Sequence, residues 1–208
     1  SLNMKPFNPL IRAIFPIGMM SILLIACGEK PEMLVLSAKN YMARHENNAA
    51  IIQIKNALQI NPHLPEARFL LGSALLEMGD LVGAEAELRK SIDLKYSPDA
   101  ALPPLAKSLL ARGQYKKLID EFSQTLLSDA SAQASLQLSL ASAYSEQGQT
   151  EMAQASIRAA LTAVPQYAPA LLESARQLIR QKNMEGALAL TNEVLARTPD
   201  DEIGRAHV

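Results

Sequence analysis

The stretch PEARFLLGSALLEMGDLVGAEAELRKSIDL, from Pro65 to Leu94, decides the fold. Leu70, Leu71, Ala74, Leu75 and Met78 recur at i, i+3 and i+4, the buried stripe of an amphipathic helix. Pro65 suits a helix N-terminus, where its missing N–H costs nothing. Gly79 can take the left-handed backbone that ends a helix. Asp80 can accept hydrogen bonds from the free N–H groups that open the next one. The segment therefore reads as a helix over Pro65 to Met78, a Gly79-Asp80 turn, and a second helix over Leu81 to Leu94.

Outward from this hairpin the pattern repeats. Small residues recur at Ala38, Gly72, Ala106, Ala141 and Ala175, with spacings of 34, 34, 35 and 34. Ala50, Ala84, Leu118, Ala153 and Ala187 form a second series with the same spacings. Large residues form a third, Tyr41, Leu75, Leu109, Tyr144 and Leu178, and a fourth, Ile54, Leu88, Phe122 and Ile157, with Thr191 as its weak member. Turn residues lie between the first two series: Gly79, Gly113 and Gly148, with His45 and Lys182 in the outer copies. Pro62, Pro165 and Pro199 close three units. A shared period of this length is the mark of a repeat architecture. Five helical hairpins are expected over residues 31–64, 65–98, 99–133, 134–167 and 168–201. The small residues belong where paired helices approach most closely, since a large side chain there would force them apart. No single pair can bury its apolar face alone, so the hairpins must stack. The third unit departs from the pattern. Leu118 replaces alanine, and Pro103-Pro104 predicts a helix that begins near Pro103 with its first turn lost or distorted. The extra residue before the fourth unit predicts a longer loop within Ser128 to Gln133.

Composition agrees with an all-α chain. Aromatics are 4% of 208 residues, Trp is missing, and few stretches past the N-terminus are rich in β-branched residues. A net charge of −1 with no basic face argues against nucleic acid as a partner. The single cysteine, Cys27, excludes an internal disulfide. Met4 reads as the natural start. Lys5 and Arg12 precede an apolar run from Ala13 to Ala26, the layout of a secretory signal over residues 4–26. The run falls short of the roughly 20 apolar residues a membrane span requires.

Two resemblances follow from these residues. Leu24-Ile25-Ala26-Cys27 resembles a lipobox, which implies cleavage before Cys27 and acylation of its thiol and freed amine. Two or three acyl chains give stable membrane anchoring. Gly28 after the cysteine, by resemblance to enterobacterial sorting, implies the outer membrane facing the periplasm, with residues 27–30 as a short tether. The hairpin series resembles the tetratricopeptide repeat over Pro31 to Asp201, which implies a right-handed α-solenoid. AAIIQIKNALQINP (Ala49 to Pro62), EARFLLGSALLEMGD (Glu66 to Asp80), AEAELRKSIDL (Ala84 to Leu94) and LPPLAKSLLARGQY (Leu102 to Tyr115) are similar to the TPR lipoproteins of the PEP-CTERM/exosortase system. That resemblance implies scaffolding beside exopolysaccharide export and protein sorting, in proteins much longer than this chain. Glu202-Ile203-Gly204-Arg205-Ala206-His207-Val208 breaks the repeat and back-translates to a string resembling a sequencing adapter. Residues 202–208 are therefore read as a non-native tail, leaving Leu188 and Leu195 on an uncovered flank.

No catalytic constellation is found. His45, His63 and His207 have no metal-ligand spacing among themselves or with Cys27. His45 and His63 read as solvated loop residues. The glycines are repeat turns and form no phosphate loop, and there is no Gly-x-Ser-x-Gly motif. Glu85 and Glu87 are expected on solvent faces, paired with Arg89 and Lys90. A non-enzymatic chain without metal or cofactor is expected, with a protein or peptide as partner. In tetratricopeptide proteins the first helix of each unit lines the concave groove. By that resemblance the N-terminal half presents Val35, Lys39, Met42, Phe69, Ser73 and Leu76. The C-terminal half presents Lys107, Leu110, Leu138, Ser142, Leu172, Arg176 and Ile179. This mix of apolar groups and scattered cations suits a peptide with apolar anchors. Two other readings stay open: a general envelope-assembly lipoprotein, and a regulatory arm of an enzyme whose catalytic domain lies outside this fragment.

Overall fold

The structure, a computed structural model, describes residues 30–197. The segment expected to be a signal, 4–26, Cys27 and the expected tail, 202–208, lie outside the described residues. Within them the chain is all helical: α1 (Pro31–Ala43), α2 (Asn47–Ile60), α3 (Pro65–Glu77), α4 (Leu81–Asp93), α5 (Pro98–Ala111), α6 (Tyr115–Phe122), α7 (Ala130–Glu146), α8 (Thr150–Ala163), α9 (Ala168–Arg180) and α10 (Met184–Arg197). Consecutive helices pair as five antiparallel hairpins, and each hairpin packs on the next. The first helices of neighbouring hairpins also touch, α1 with α3, α3 with α5, α5 with α7 and α7 with α9. The second helices form no such row of close backbone contacts, and α4 and α6 meet through long charged side chains. A stack whose odd helices converge while its even helices splay must curve, with the odd helices on the inner wall. This is an α-solenoid, as the period predicts.

One turn is used in every hairpin. The carbonyls of Tyr41, Leu75, Leu109, Tyr144 and Leu178 accept from the N–H five residues on, at Glu46, Asp80, Gln114, Gln149 and Asn183. The residue before each donor is left-handed: Gly79, Gly113 and Gly148, but also His45 (φ 57) and Lys182 (φ 63). This is the helix-ending motif in which glycine is favoured because a Cβ is penalised. Asp80, as expected, accepts from the Gly83 N–H at 2.9 Å and caps α4. A side chain in the left-handed region costs about 1–2 kcal/mol, and glycine returns part of that as lost chain entropy. His45→Gly and Lys182→Gly should therefore each stabilise the chain by about 0.5–1 kcal/mol in denaturant unfolding. A loss of stability in both would show that these side chains hold contacts that outweigh the strain.

The close approach is clearest in the second hairpin. A Cβ on Gly72 would lie 2.6 Å from Leu88 Cγ and 3.0 Å from the Leu88 backbone nitrogen. The equivalent Ala38, Ala106 and Ala141 are fully buried, as are Ala50, Ala84 and Ala153, while Ala175 and Ala187 are nearly so.

The third hairpin differs from expectation in two ways. Helix α5 begins at Pro98, not near Pro103, and both Pro103 and Pro104 lie inside it. Each proline removes one intrahelical bond, to Asp99 and Ala100. Tertiary contacts hold the first turn regardless. Ala101 and Leu105 are buried, and the Asp99 carboxylate accepts from the N–H groups of Ser128 (2.8 Å) and Asp129 (3.2 Å). The irregular stretch before the fourth hairpin is 123–129, not Ser128 to Gln133. Asp129 caps α7 by accepting from Ala132 N–H at 2.7 Å, and Gln133 Oε1 accepts from Leu127 N–H at 2.8 Å, so residues 130–133 are already helical. Helix α6 is correspondingly short, ending at Phe122.

Glu85 also departs from its expected place. It is 7% exposed and forms the centre of an ion cluster. Its carboxylate accepts from Arg89 (2.9 Å) on its own helix, from Lys117 (2.7 Å) on α6, and from Arg112 after α5. Arg89 also reaches Glu121 at 2.9 Å. Burial raises the Glu85 carboxyl, but the hydrogen bonds and charges of Lys117 and Arg89 outweigh it and hold the group below the usual carboxylate range. Glu87 is half-buried and pairs with Arg68 (2.8 Å) as well as Lys90 (2.8 Å). Burial raises its carboxyl, and Lys90 and Arg68 bring it below the usual range.

Candidate functional site: the concave wall

The inner wall is built from α1, α3, α5, α7 and α9. Helical periodicity gives each of these one stripe facing its hairpin partner and another facing the hollow of the curve. The thirteen residues expected in the groove fall into three groups. Lys107, Leu110, Leu138, Ser142, Leu172 and Arg176 come together around one hollow of about 300 Å³ between α5, α7 and α9. Val35 and Lys39 border a second hollow between α1 and α3, beside Leu64 and Glu66. Val35 is 6% exposed and belongs mostly to the core, while Lys39 pairs with Glu66 across the two hairpins. The Glu66 hydrogen bond holds the Lys39 ammonium above its ordinary pKa, against a smaller effect of burial. Met42, Phe69, Ser73, Leu76 and Ile179 line neither hollow. Phe69 is half-buried and stacks on Tyr96 with ring centres 4.8 Å apart, and Met42 packs on the N-terminal core.

The C-terminal hollow has an apolar floor of half-buried Leu110, Leu138 and Leu172. Exposed Lys107 and Arg176 stand over it. Arg176 is held by Glu173 at 3.1 Å, and Glu173 itself is 4% exposed. Lys107 has no carboxylate partner among the described residues. Sequence reasoning missed Ser135, Ser139, Tyr167, Pro169 and Glu173, which also line this hollow. Four of them lie three residues before Leu138, Ser142, Leu172 and Arg176, so helical spacing alone could have found them.

No group of His, Cys, Asp or Glu able to hold a metal occurs among the described residues. None of the described helices is long and apolar enough to cross a membrane. His45 and His63 are exposed in loops, and the His63 N–H donates to Asn61 Oδ1 at 3.0 Å.

A curved stack of helical hairpins with a ligand-sized hollow on its inner wall defines a class: the helical-repeat scaffold for protein–protein interaction. More particularly, the chain belongs to the tetratricopeptide repeat family, whose pattern matches residues 41–102 and 144–206. Tetratricopeptide repeat proteins bind protein or peptide partners. No curated protein matches the chain. Its fold is similar to that of MamA, residue 41 to the end, from Desulfovibrio magneticus RS-1, with 21% identity, a TM-score of 0.66, and coverage of 85% of this chain and 100% of that one. It is similar to PilW, described as a widely conserved type IV pilus biogenesis factor, at 18% identity and a TM-score of 0.67, covering 81% of this chain and 78% of that one. YrrB, described as a TPR protein with an unusual peptide-binding site, is similar at 17% identity and a TM-score of 0.54, covering 80% of this chain and 86% of that one.

Proposed function

We propose that this chain is a non-catalytic scaffold anchored in the bacterial envelope by lipid on Cys27, and that it holds a partner protein along its concave wall. The observation that carries the reading is the hollow between α5, α7 and α9, where an apolar floor lies beneath Lys107 and Arg176. Leu110, Leu138 and Leu172 accept an apolar side chain of an extended or helical segment. The two cations favour acidic residues beside it, with Lys107 the freer of the two. Resemblance of the N-terminal half to PEP-CTERM/exosortase TPR lipoproteins supports a place in exopolysaccharide export or protein sorting, at the outer membrane facing the periplasm. A general envelope-assembly role is the second reading, and the likeness of fold to the pilus biogenesis factor PilW favours it.

Two measurements test the proposal. A photo-crosslinking residue at Leu138 should trap one protein in cells, and Lys107→Glu with Leu172→Asp should reduce that crosslink about tenfold or more, because central apolar and charged contacts dominate such interfaces. An undiminished crosslink would place the partner elsewhere. Cys27→Ser should abolish lipid labelling and move the protein from the membrane to the soluble fraction. Unchanged attachment would remove the anchor from the proposal. Exosortase or glycosyltransferase genes beside this one would favour the first reading over the second.

A further inference from the structure

The hairpins share a register, so each position in the first can be compared with its equivalents in the others. Met33 is equivalent to Ala67, Ala101, Leu136 and Ala170, which are 0% exposed, yet Met33 itself is 56% exposed. Leu36, 51% exposed, is equivalent to buried Leu70, Ser139 and Glu173 and to half-buried Pro104. Position explains the exposure: α1 packs on α2 and α3, with no described hairpin before it. Position does not explain the residue type. The outer face of a terminal repeat is expected to be polar when water covers it. Ser37 follows that rule, standing where Leu71, Leu105 and Leu140 are buried. The fifth hairpin also has serine there, Ser174, and a cavity of about 240 Å³ opens between α8 and α9. Met33 and Leu36 break the rule, and both lie in the first two turns of α1, next to Cys27 in the chain.

The rest of this face is built from donors. Ser37 borders an open hollow of about 460 Å³ together with Asn40, Tyr41, Ala43 and Arg44. The lining offers a hydroxyl, an amide, a phenol and a guanidinium, and no carboxylate. Arg44 lies over the Tyr41 ring at 5.1 Å and donates from Nε to Glu46 at 3.2 Å. A guanidinium carries more N–H groups than that pair uses. Met33, Ser37, Asn40 and Arg44 recur at i, i+4, i+7 and i+11, so they form one line along α1. Its apolar end is nearest Cys27 and its cationic end is farthest.

We propose that this end face lies on the phospholipid surface, with Met33 and Leu36 at the boundary of headgroups and acyl chains and the donor-lined hollow against lipid phosphates. The docking rests on the reading of Cys27 as a lipid anchor. What commits the face to lipid is the tether. Only Gly28, Glu29 and Lys30 separate Cys27 from α1. Four extended steps reach at most about 14 Å, and an interfacial apolar face sits about 5–10 Å into the boundary. Met33, two residues into α1, therefore stays close to the bilayer. A contact too weak to hold a free protein is populated there, because the tether makes the encounter intramolecular. Helix α1 then lies along the membrane plane and the hairpins stack away from it. At about 8–10 Å between packed helices, the concave hollow of α5, α7 and α9 stands roughly 20–40 Å from the lipid, open to a partner.

The test uses the full-length lipoprotein in vesicles of phosphatidylethanolamine and phosphatidylglycerol. Acylation occupies the Cys27 thiol, so one added cysteine, Met33→Cys, Leu36→Cys or Leu188→Cys, alone takes an environment-sensitive fluorophore. Nitroxides on the upper acyl chains should quench the labels at 33 and 36 by about half or more, as expected for side chains at interfacial depth. The label at 188, an exposed position (62%) on the fifth hairpin, should not be quenched. Leu36→Glu with Arg44→Glu should remove most of the quenching at 33. Both side chains are exposed, so the melting temperature should fall by no more than about 4 °C. Unquenched labels at 33 and 36 on a protein whose mass shows an acylated Cys27 would overturn the docking and leave the anchor standing. An unacylated Cys27 would remove both. A dimer in detergent that Leu36→Glu dissolves would assign the face to a second copy and overturn the proposal as well.

Discussion

Gly72→Leu is expected to destabilise the chain by about 3 kcal/mol or more, the upper end of what overpacking a tight contact costs. A leucine adds four carbons where even one would sit 2.6 Å from Leu88 Cγ. The Leu88 side chain has nowhere to go, because it is itself fully buried in the central core with Leu105, Leu109 and Leu118. The backbone nitrogen of Leu88, at 3.0 Å, cannot yield without moving α4. Helices α3 and α4 must therefore separate, and the seam with α5 opens with them. Far-UV circular dichroism should show the melting temperature falling by roughly 6–12 °C, at about 2–4 °C per kcal/mol for a chain of this size. Lys107→Ala, on the exposed wall, should stay within about 0.5 kcal/mol of the parent. Equal shifts for the two variants would mean that Gly72 does not sit at a packing contact.

Glu85→Ala is expected to cost about 2–3 kcal/mol, the range for losing charge-assisted hydrogen bonds to a buried carboxylate. The variant leaves Arg89, Arg112 and Lys117 facing one another with no anion between them. Their side chains are 34%, 26% and 43% exposed, so they can swing toward water. That escape keeps the cost below the roughly 3–5 kcal/mol seen when a fully buried pair is broken. The effect also has a pH signature. The folded carboxyl lies below its unfolded value, so its contribution is complete above the ordinary glutamate range near about 4.3 and is lost as pH falls through the depressed folded value. The stability gap between parent and variant should be flat from neutral pH to about pH 5.5, then close in stronger acid. A gap that persists unchanged to pH 3 would assign the loss to packing and remove the ion cluster from the account.

Much of this architecture was legible because it is local. Each hairpin writes its small residue, its turn and its apolar stripe within one stretch of chain. His45 and Lys182 were readable as turn residues because they occupy the register of Gly79, Gly113 and Gly148, and all five are left-handed. The third hairpin was misread where a local rule met a tertiary contact. Pro103 and Pro104 argue for a late helix start, yet the Asp99 carboxylate is engaged by Ser128 and Asp129, some thirty residues on. The groove was read in part. Leu110, Leu138 and Leu172 converge, whereas Phe69 turns to Tyr96 and Val35 into the core.

By itself the sequence determined the hairpin, its period and its turns, because a helix and its ending are encoded by residues within a few positions of each other. Only the tertiary structure decided that Glu85 is buried, that α5 starts at Pro98, and that the fifth hairpin leaves a cavity against the fourth. Each of those depends on side chains brought from neighbouring helices, as Arg112 and Lys117 are brought to Glu85 from 27 and 32 residues away. Burial belongs to the pair of surfaces that meet, and a single stretch of sequence carries only one of them.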